Sequence, residues 1–82
     1  MTPVFYFDGV HLISPRLDDL HFIAKEIGLN KKYFQDKGHT IPHYDVWGEP
    51  RSKLLQFGSV VIVDSKELVE VGRRYYNKRR TL

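Results

Sequence analysis

Two short runs of apolar, β-favouring residues stand far apart in the chain: Val4-Phe5-Tyr6-Phe7, and Ser59-Val60-Val61-Ile62-Val63. Pro3 and Asp8-Gly9 bound the first; Gly58 and Asp64 bound the second. Continuous apolar runs of this length read as strands buried on both faces. The chain between them carries helical periodicity, so the two strands should lie parallel, joined by a right-handed crossover. This predicts an α/β fold in the order strand, helix, loop, helix, strand, helix, around a short parallel sheet. Two strands alone make a marginal sheet. Either Ile41 to Val46 adds a third strand, or two chains pair as a homodimer at an exposed sheet edge.

The helices follow from local chemistry. Ser14-Pro15 reads as an N-cap followed by proline at the first helical position. Leu17, Leu20, Ile23, Ala24 and Ile27 then recur at helical spacing, and Gly28-Leu29 fits a helix-ending glycine with an apolar residue behind it. The first helix is therefore expected over about residues 15 to 27. Pro50 is tolerated only in a first turn, so a short second helix should begin near Glu49 and end at Gly58. Asp64-Ser65-Lys66-Glu67 has capping-box spacing for a third helix that buries Leu68, Val71, Gly72 and Tyr75.

The chain has 82 residues, which suits one small domain over 1–82 with a basic tail from about 73 to 82. It has no cysteine, which removes disulfides and thiolate metal sites and suits a reducing cytoplasm. No apolar run is long enough to span a bilayer and no signal peptide is recognisable, so a cytoplasmic protein without a membrane partner is expected. Net charge is +3, and it is uneven. Arg73, Arg74, Lys78, Arg79 and Arg80 have no acid among them, and Tyr75 and Tyr76 are interleaved. Such an end can sit against phosphates and stack on bases. Equally, it can be a solvated helix end whose cations favour the negative pole of the helix dipole.

The chemistry concentrates in His39-Thr-Ile-Pro-His-Tyr-Asp45. Pro42 keeps this stretch from being helical, and with Asn30–Gly38 it makes a long connection of the kind that often carries function. His11, His21, His39 and His43, with Asp8, Asp18, Asp19 and Asp45, are the candidates for chemistry. Without cysteine, a metal site would use nitrogen and oxygen only, suiting zinc, manganese, nickel or iron. Asp8, His11, His43 and Asp45 are the candidate ligands of a divalent metal, and His39 and His43 have a spacing found among zinc ligand pairs. A metal-free arrangement would use His11 and His43 as general base and acid, oriented by Asp45 or Asp8, with Lys31 or Lys32 stabilising an oxyanion. Tyr44 would donate a proton or pack. His21, beside the apolar face of the first helix, reads more simply as a packed histidine. No Gly-rich phosphate loop, Gly-x-Ser-x-Gly or His-Glu-x-x-His is present.

Over nearly its whole length the chain resembles a family of short bacterial and phage proteins catalogued as a domain of unknown function. Phe7-Asp8, His11-Leu12, Asp18-Asp19-Leu20-His21-Phe22, Gly28-Leu29, Phe34-Gln35, His43-Tyr44-Asp45-Val46, Gly58 and Ser65-Lys66-Glu67-Leu68 carry the resemblance. It departs where Gly9-Val10 replaces a longer Pro/Trp-rich segment, and where Pro50 interrupts a usually continuous helix. The resemblance implies that His11, His21, His43, Tyr44 and Asp45 belong to one shared site, and it implies no reaction.

Three readings of function follow. The first is a hydrolase or phosphoesterase acting on nucleotide or nucleic acid through those five residues. The second is a non-catalytic nucleic-acid-binding module using the basic C-terminal helix. The third is a small phage or prophage protein that binds a host protein through a sheet edge and Trp47. Against the first stands the alternative that the polar residues form a hydrogen-bond network fastening a long loop.

Overall fold

The computed structural model describes residues 3–38 and 40–76. His39, Lys78, Arg79 and Arg80, all singled out from the sequence, lie outside them. Five strands form one mixed sheet: β1 (Phe5–Phe7), β2 (His11–Ile13), β3 (Phe34–Gln35), β4 (His43–Asp45) and β5 (Val60–Ile62), in the order β3-β4-β2-β1-β5. The helices are α1 (Leu17–Glu26), α2 (Gly48–Leu54) and α3 (Ser65–Tyr75), with a 3-10 turn at Lys31–Tyr33.

The expected parallel pair is β1 with β5, in register Tyr6 to Val61. The sheet is completed within the chain. β4 supplies the added strand foreseen at Ile41 to Val46, and β2 and β3 supply two that the sequence reading did not separate. β2 forms because Asp8-Gly9-Val10 reverses the chain. The register pairs Phe7 with Leu12. Gly9 has φ +102°, in the left-handed region that favours glycine, at the first central position of the two-residue loop. The Asp8 carboxylate holds the turn by accepting from the backbone N–H groups of Val10 (2.9 Å) and His11 (2.7 Å).

Because side chains alternate along a strand, the sheet has two different faces. Phe5, Phe7, Leu12 and Tyr44 pack with Leu20, Ile23, Ala24 and Ile27 of α1 and its C-cap, and with Leu54 of α2. On the other face Ile13 and Ile41 pack under Leu68 and Val71 of α3, with Tyr6 and Tyr76 at the margin. His11, His43 and Asp45 share the α3 face by the same alternation.

Several local expectations are corrected. α1 starts at Leu17 with Arg16 at the N-cap and no side-chain cap. Ser14 is buried at the end of β2 and donates instead to the Val4 carbonyl at 3.0 Å. The end of α1 is as expected: Gly28 has φ +85°, and Leu29 N–H to Ala24 O (2.8 Å) with Gly28 N–H to Lys25 O (3.1 Å) closes a Schellman motif. α2 ends at Leu54, before Gly58. β5 is not buried on both faces. It is an outer strand, with Val61 and Ile62 exposed. At the end of α3 it is Tyr76, not Tyr75, that turns inward, donating its hydroxyl to Ser14 O at 2.8 Å. Asp64 caps α3 as expected, accepting from Glu67 N–H at 2.7 Å. No helix among the described residues is long and apolar enough to cross a membrane.

Candidate metal centre

β1, β4 and β5 run in the same direction, since β4 and β1 are each antiparallel to β2. Their C-terminal ends therefore meet at one edge of the sheet, the usual place for ligands in open α/β sheets. Asp8 follows β1, Asp45 ends β4, and Ser65 opens α3 after β5. His11 starts β2 at the same edge, paired in register with Asp45.

At this edge His11, His43 and Asp45 each offer one donor atom, and the three atoms lie within 4.8 Å of one another. Asp45 Oδ1 lies 3.4 Å from His43 Nε2 and 3.8 Å from His11 Nε2. With zinc–nitrogen and zinc–oxygen distances of about 2.0–2.1 Å, neighbouring tetrahedral ligands stand about 3.4 Å apart. The imidazole rings meet edge to face, with centroids 5.4 Å apart.

The outer nitrogens settle the tautomers. His11 Nδ1 lies 2.8 Å from the Asp8 carboxylate, and His43 Nδ1 lies 2.7 Å from the Ile41 carbonyl. Burial works to raise the Asp8 pKa, but hydrogen bonds from the His11 backbone and ring, from Ser65 and from Val10 outweigh it and hold the carboxyl at about 2. Asp8 is thus ionised at neutral pH and, like a carbonyl, can only accept. Both Nδ1 atoms must donate, so in the neutral rings both Nε2 atoms carry lone pairs. Those lone pairs face Asp45 Oδ1, which is buried and has no hydrogen-bond partner. Three acceptors converging without a proton repel one another unless a cation lies between them or a ring is protonated.

Metal-binding histidines commonly donate the second ring N–H to a carboxylate or backbone carbonyl, which fixes the ring and raises its basicity. Both histidines here are held in that way. The Asp45 carboxylate is oriented too, since its Oδ2 accepts from Gln35 Nε2 at 2.7 Å. Ser65 Oγ donates to Asp8 Oδ2 at 2.7 Å, tying α3 to the same network. Two imidazoles and a carboxylate suit a first-row divalent ion such as zinc, manganese or iron.

His21 and Tyr44 stand elsewhere. Tyr44 points to the opposite face of β4, where His21 Nδ1 lies 2.8 Å from its hydroxyl and Phe34 packs against both rings. Burial and the nearby Lys31 lower the His21 pKa, with Asp18 opposing, and burial raises that of Tyr44. Of the five residues expected to share a site, the structure brings together His11, His43 and Asp45, adds Asp8, and places His21 and Tyr44 across the sheet. Lys31 lies with that second pair and Lys32 on the Asp45 side. Arg73 and Arg74 are exposed in the last turn of α3. Gln35 and Ser65 were not read as site residues. Both stand in the family pattern, Gln35 in Phe34-Gln35 and Ser65 in Ser65-Lys66-Glu67-Leu68, but there Ser65 reads only as part of a helix start.

The fold and site define a small α/β domain presenting a two-histidine, one-carboxylate cluster at the C-terminal edge of its parallel strands. The chain belongs to the family described as "Protein of unknown function (DUF4031)", whose pattern matches residues 7–75. No curated protein and no solved structure matches it.

Proposed function

We propose that this protein is a divalent-metal-dependent hydrolase that cleaves phosphoesters of nucleotide or nucleic-acid substrates, with the metal held by His11, His43 and Asp45. The observation that carries the reading is the convergence of two Nε2 lone pairs and the unpartnered, buried Asp45 Oδ1. Three protein donors leave positions for water and substrate, as catalytic sites do and closed structural sites do not. A metal there would supply Lewis acidity and a water of lowered pKa. Asp8 and the Ile41 carbonyl hold the imidazoles with Nε2 unprotonated, and Gln35 fixes the carboxylate. Lys32 and Lys37, bordering Asp45, would offset the charge gathering on the phosphoryl oxygens. Hydrolysis forms a bond from the water oxygen to phosphorus and breaks the ester P–O bond, and the water's proton ends on the leaving oxygen.

The test is hydrolysis of bis(p-nitrophenyl) phosphate and of short oligonucleotides with zinc, manganese or iron(II) added singly. Turnover should appear with metal, vanish with chelator, and be lost in His43→Ala and Asp45→Asn at unchanged circular dichroism. Stoichiometric metal binding without hydrolysis of either substrate would overturn the reading.

A second reading, a nucleic-acid-binding module built on the basic helix, draws support from the exposed Arg73 and Arg74. They stand at the far end of α3, about 12–14 Å of helix from Ser65. It requires affinity that falls steeply with salt and is lost when residues 73 to 82 are removed.

A further inference from the structure

Beside Asp45 the surface opens into a cavity of about 290 Å³, lined by Lys32, Tyr33, Gln35, Lys37, Asp45 and Trp47. We infer that this cavity is the substrate subsite of the proposed metal centre, and that it takes one unpaired nucleotide, with the base on the Tyr33–Trp47 surface and the phosphate between the lysines and the metal. The inference rests on the hydrolase reading for its chemistry but has its own observations.

Trp47 is exposed over 56% of its surface and Tyr33 over 40%, and their rings meet edge to face with centroids 5.7 Å apart. Two large rings left open to water beside a polar cluster leave a π-face free for a flat ligand. Lys32 Nζ stands 5.2 Å from the Tyr33 ring centroid, so a cation already borders that platform. Neither Lys32 nor Lys37 makes an ion pair among the described residues. The acid lining the cavity is Asp45, whose Oδ1 is directed to the metal donors and whose Oδ2 is taken by Gln35. The cavity therefore presents cations and aromatic faces to an incoming group, the pairing that binds single-stranded nucleic acid. Its volume is at the lower end for a small-molecule site, and a base inside a duplex is stacked on both faces, leaving neither free to lie on Trp47.

Trp47 is the single tryptophan of the chain, so its fluorescence reports this cavity alone. The experiment titrates the full chain, in chelator, with a thymidine decanucleotide, with thymidine monophosphate, and with a blunt duplex. Quenching by the decanucleotide, or by both it and the monophosphate, but not by the duplex, is the expected result. A response to the decanucleotide alone assigns the subsite to a strand, and a response to both assigns it to the nucleotide unit. By polarisation of a labelled strand, Trp47→Ala should weaken binding by about 5- to 150-fold, and Lys37→Gln should weaken it at an unchanged fold. Absence of quenching, equal quenching by duplex, or wild-type affinity in Trp47→Ala would overturn the inference even where the small diester is still hydrolysed. Failure to hydrolyse the small diester, with quenching retained, would instead overturn the hydrolase reading.

Discussion

Replacing Asp8 by asparagine should separate what its charge does from what its shape does. The carboxyl is held at about 2 against an ordinary 3.8. Its side chain is only 1% exposed, so solvent screens the effect little. At 1.36 kcal/mol per pKa unit, the charge contributes about 2 kcal/mol to stability at neutral pH. Because the folded pKa is depressed, that contribution is complete above about pH 4 and is lost as pH falls to about 2. Asparagine can keep one oxygen for the Val10 and His11 backbone N–H groups. Its amide nitrogen, however, replaces Oδ2, which accepts from His11 Nδ1 and Ser65 Oγ. An amide donor facing Nδ1 moves the imidazole proton to Nε2, and the lone pair aimed at Asp45 disappears. Urea unfolding at pH 7 should show Asp8→Asn less stable by about 2 kcal/mol, with the acid limb of its stability curve flattened by a similar amount. Calorimetric zinc binding should weaken by about 10- to 100-fold, the usual effect of losing an outer-shell partner. A variant as stable as wild type at pH 7, binding zinc equally well, would refute the assignment of Asp8 as the acceptor that sets the His11 tautomer.

Other consequences can be checked more briefly. A Cβ at Gly72 would stand 2.6 and 2.8 Å from Cδ1 and Cγ2 of the fully buried Ile41. Gly72→Ala gains about 1 kcal/mol of helix propensity but overpacks the core by about 1–3 kcal/mol. Net destabilisation is expected, and Ile41→Val should partly relieve it; strictly additive unfolding energies in the double mutant would show that the two residues do not press on each other. The lowered His21 pKa makes the folded ring the weaker base, so stability should fall as pH drops from about 6.5 towards the lowered folded value. His21→Gln should flatten that slope in unfolding titrations between pH 7 and 5, whereas an unchanged slope would place the titrating group elsewhere. Gln35→Leu removes the donor to Asp45 Oδ2 and should weaken metal binding by calorimetry while leaving the fold intact by circular dichroism.

The sheet was legible where an apolar run is long and not where a strand is three residues or fewer without one. Phe5 and Phe7 announce a strand because both are large and apolar, and the helical stretch between the two apolar runs makes their pairing parallel. His11–Ile13 gives no such signal: three residues after a two-residue turn are too few to show a period. Val61 and Ile62 look like core because β-branched residues suit any strand, but their exposure depends on which strand ends at the edge, and the sheet order decides that. The site was legible in its residues and only partly in its grouping. His43-Tyr44-Asp45 alternates polar, apolar, polar, and in a strand that pattern sends Tyr44 to the opposite face. A loop reading of the same stretch leaves all three together. The partners that fix the site, the Ile41 carbonyl and the Ser65 hydroxyl, depend on tertiary placement that residue type does not encode.

The central claim is that His11 and His43 present unprotonated Nε2 atoms with Asp45 to one divalent ion. Long-range proton–nitrogen NMR of the imidazole rings, before and after one equivalent of zinc, tests it most directly. The account predicts that His11 and His43 start as Nδ1–H tautomers, that their Nε2 resonances move together on adding zinc, and that His21, across the sheet, does not follow. Zinc that leaves His11 and His43 unmoved, or that shifts His21 in their place, would contradict it.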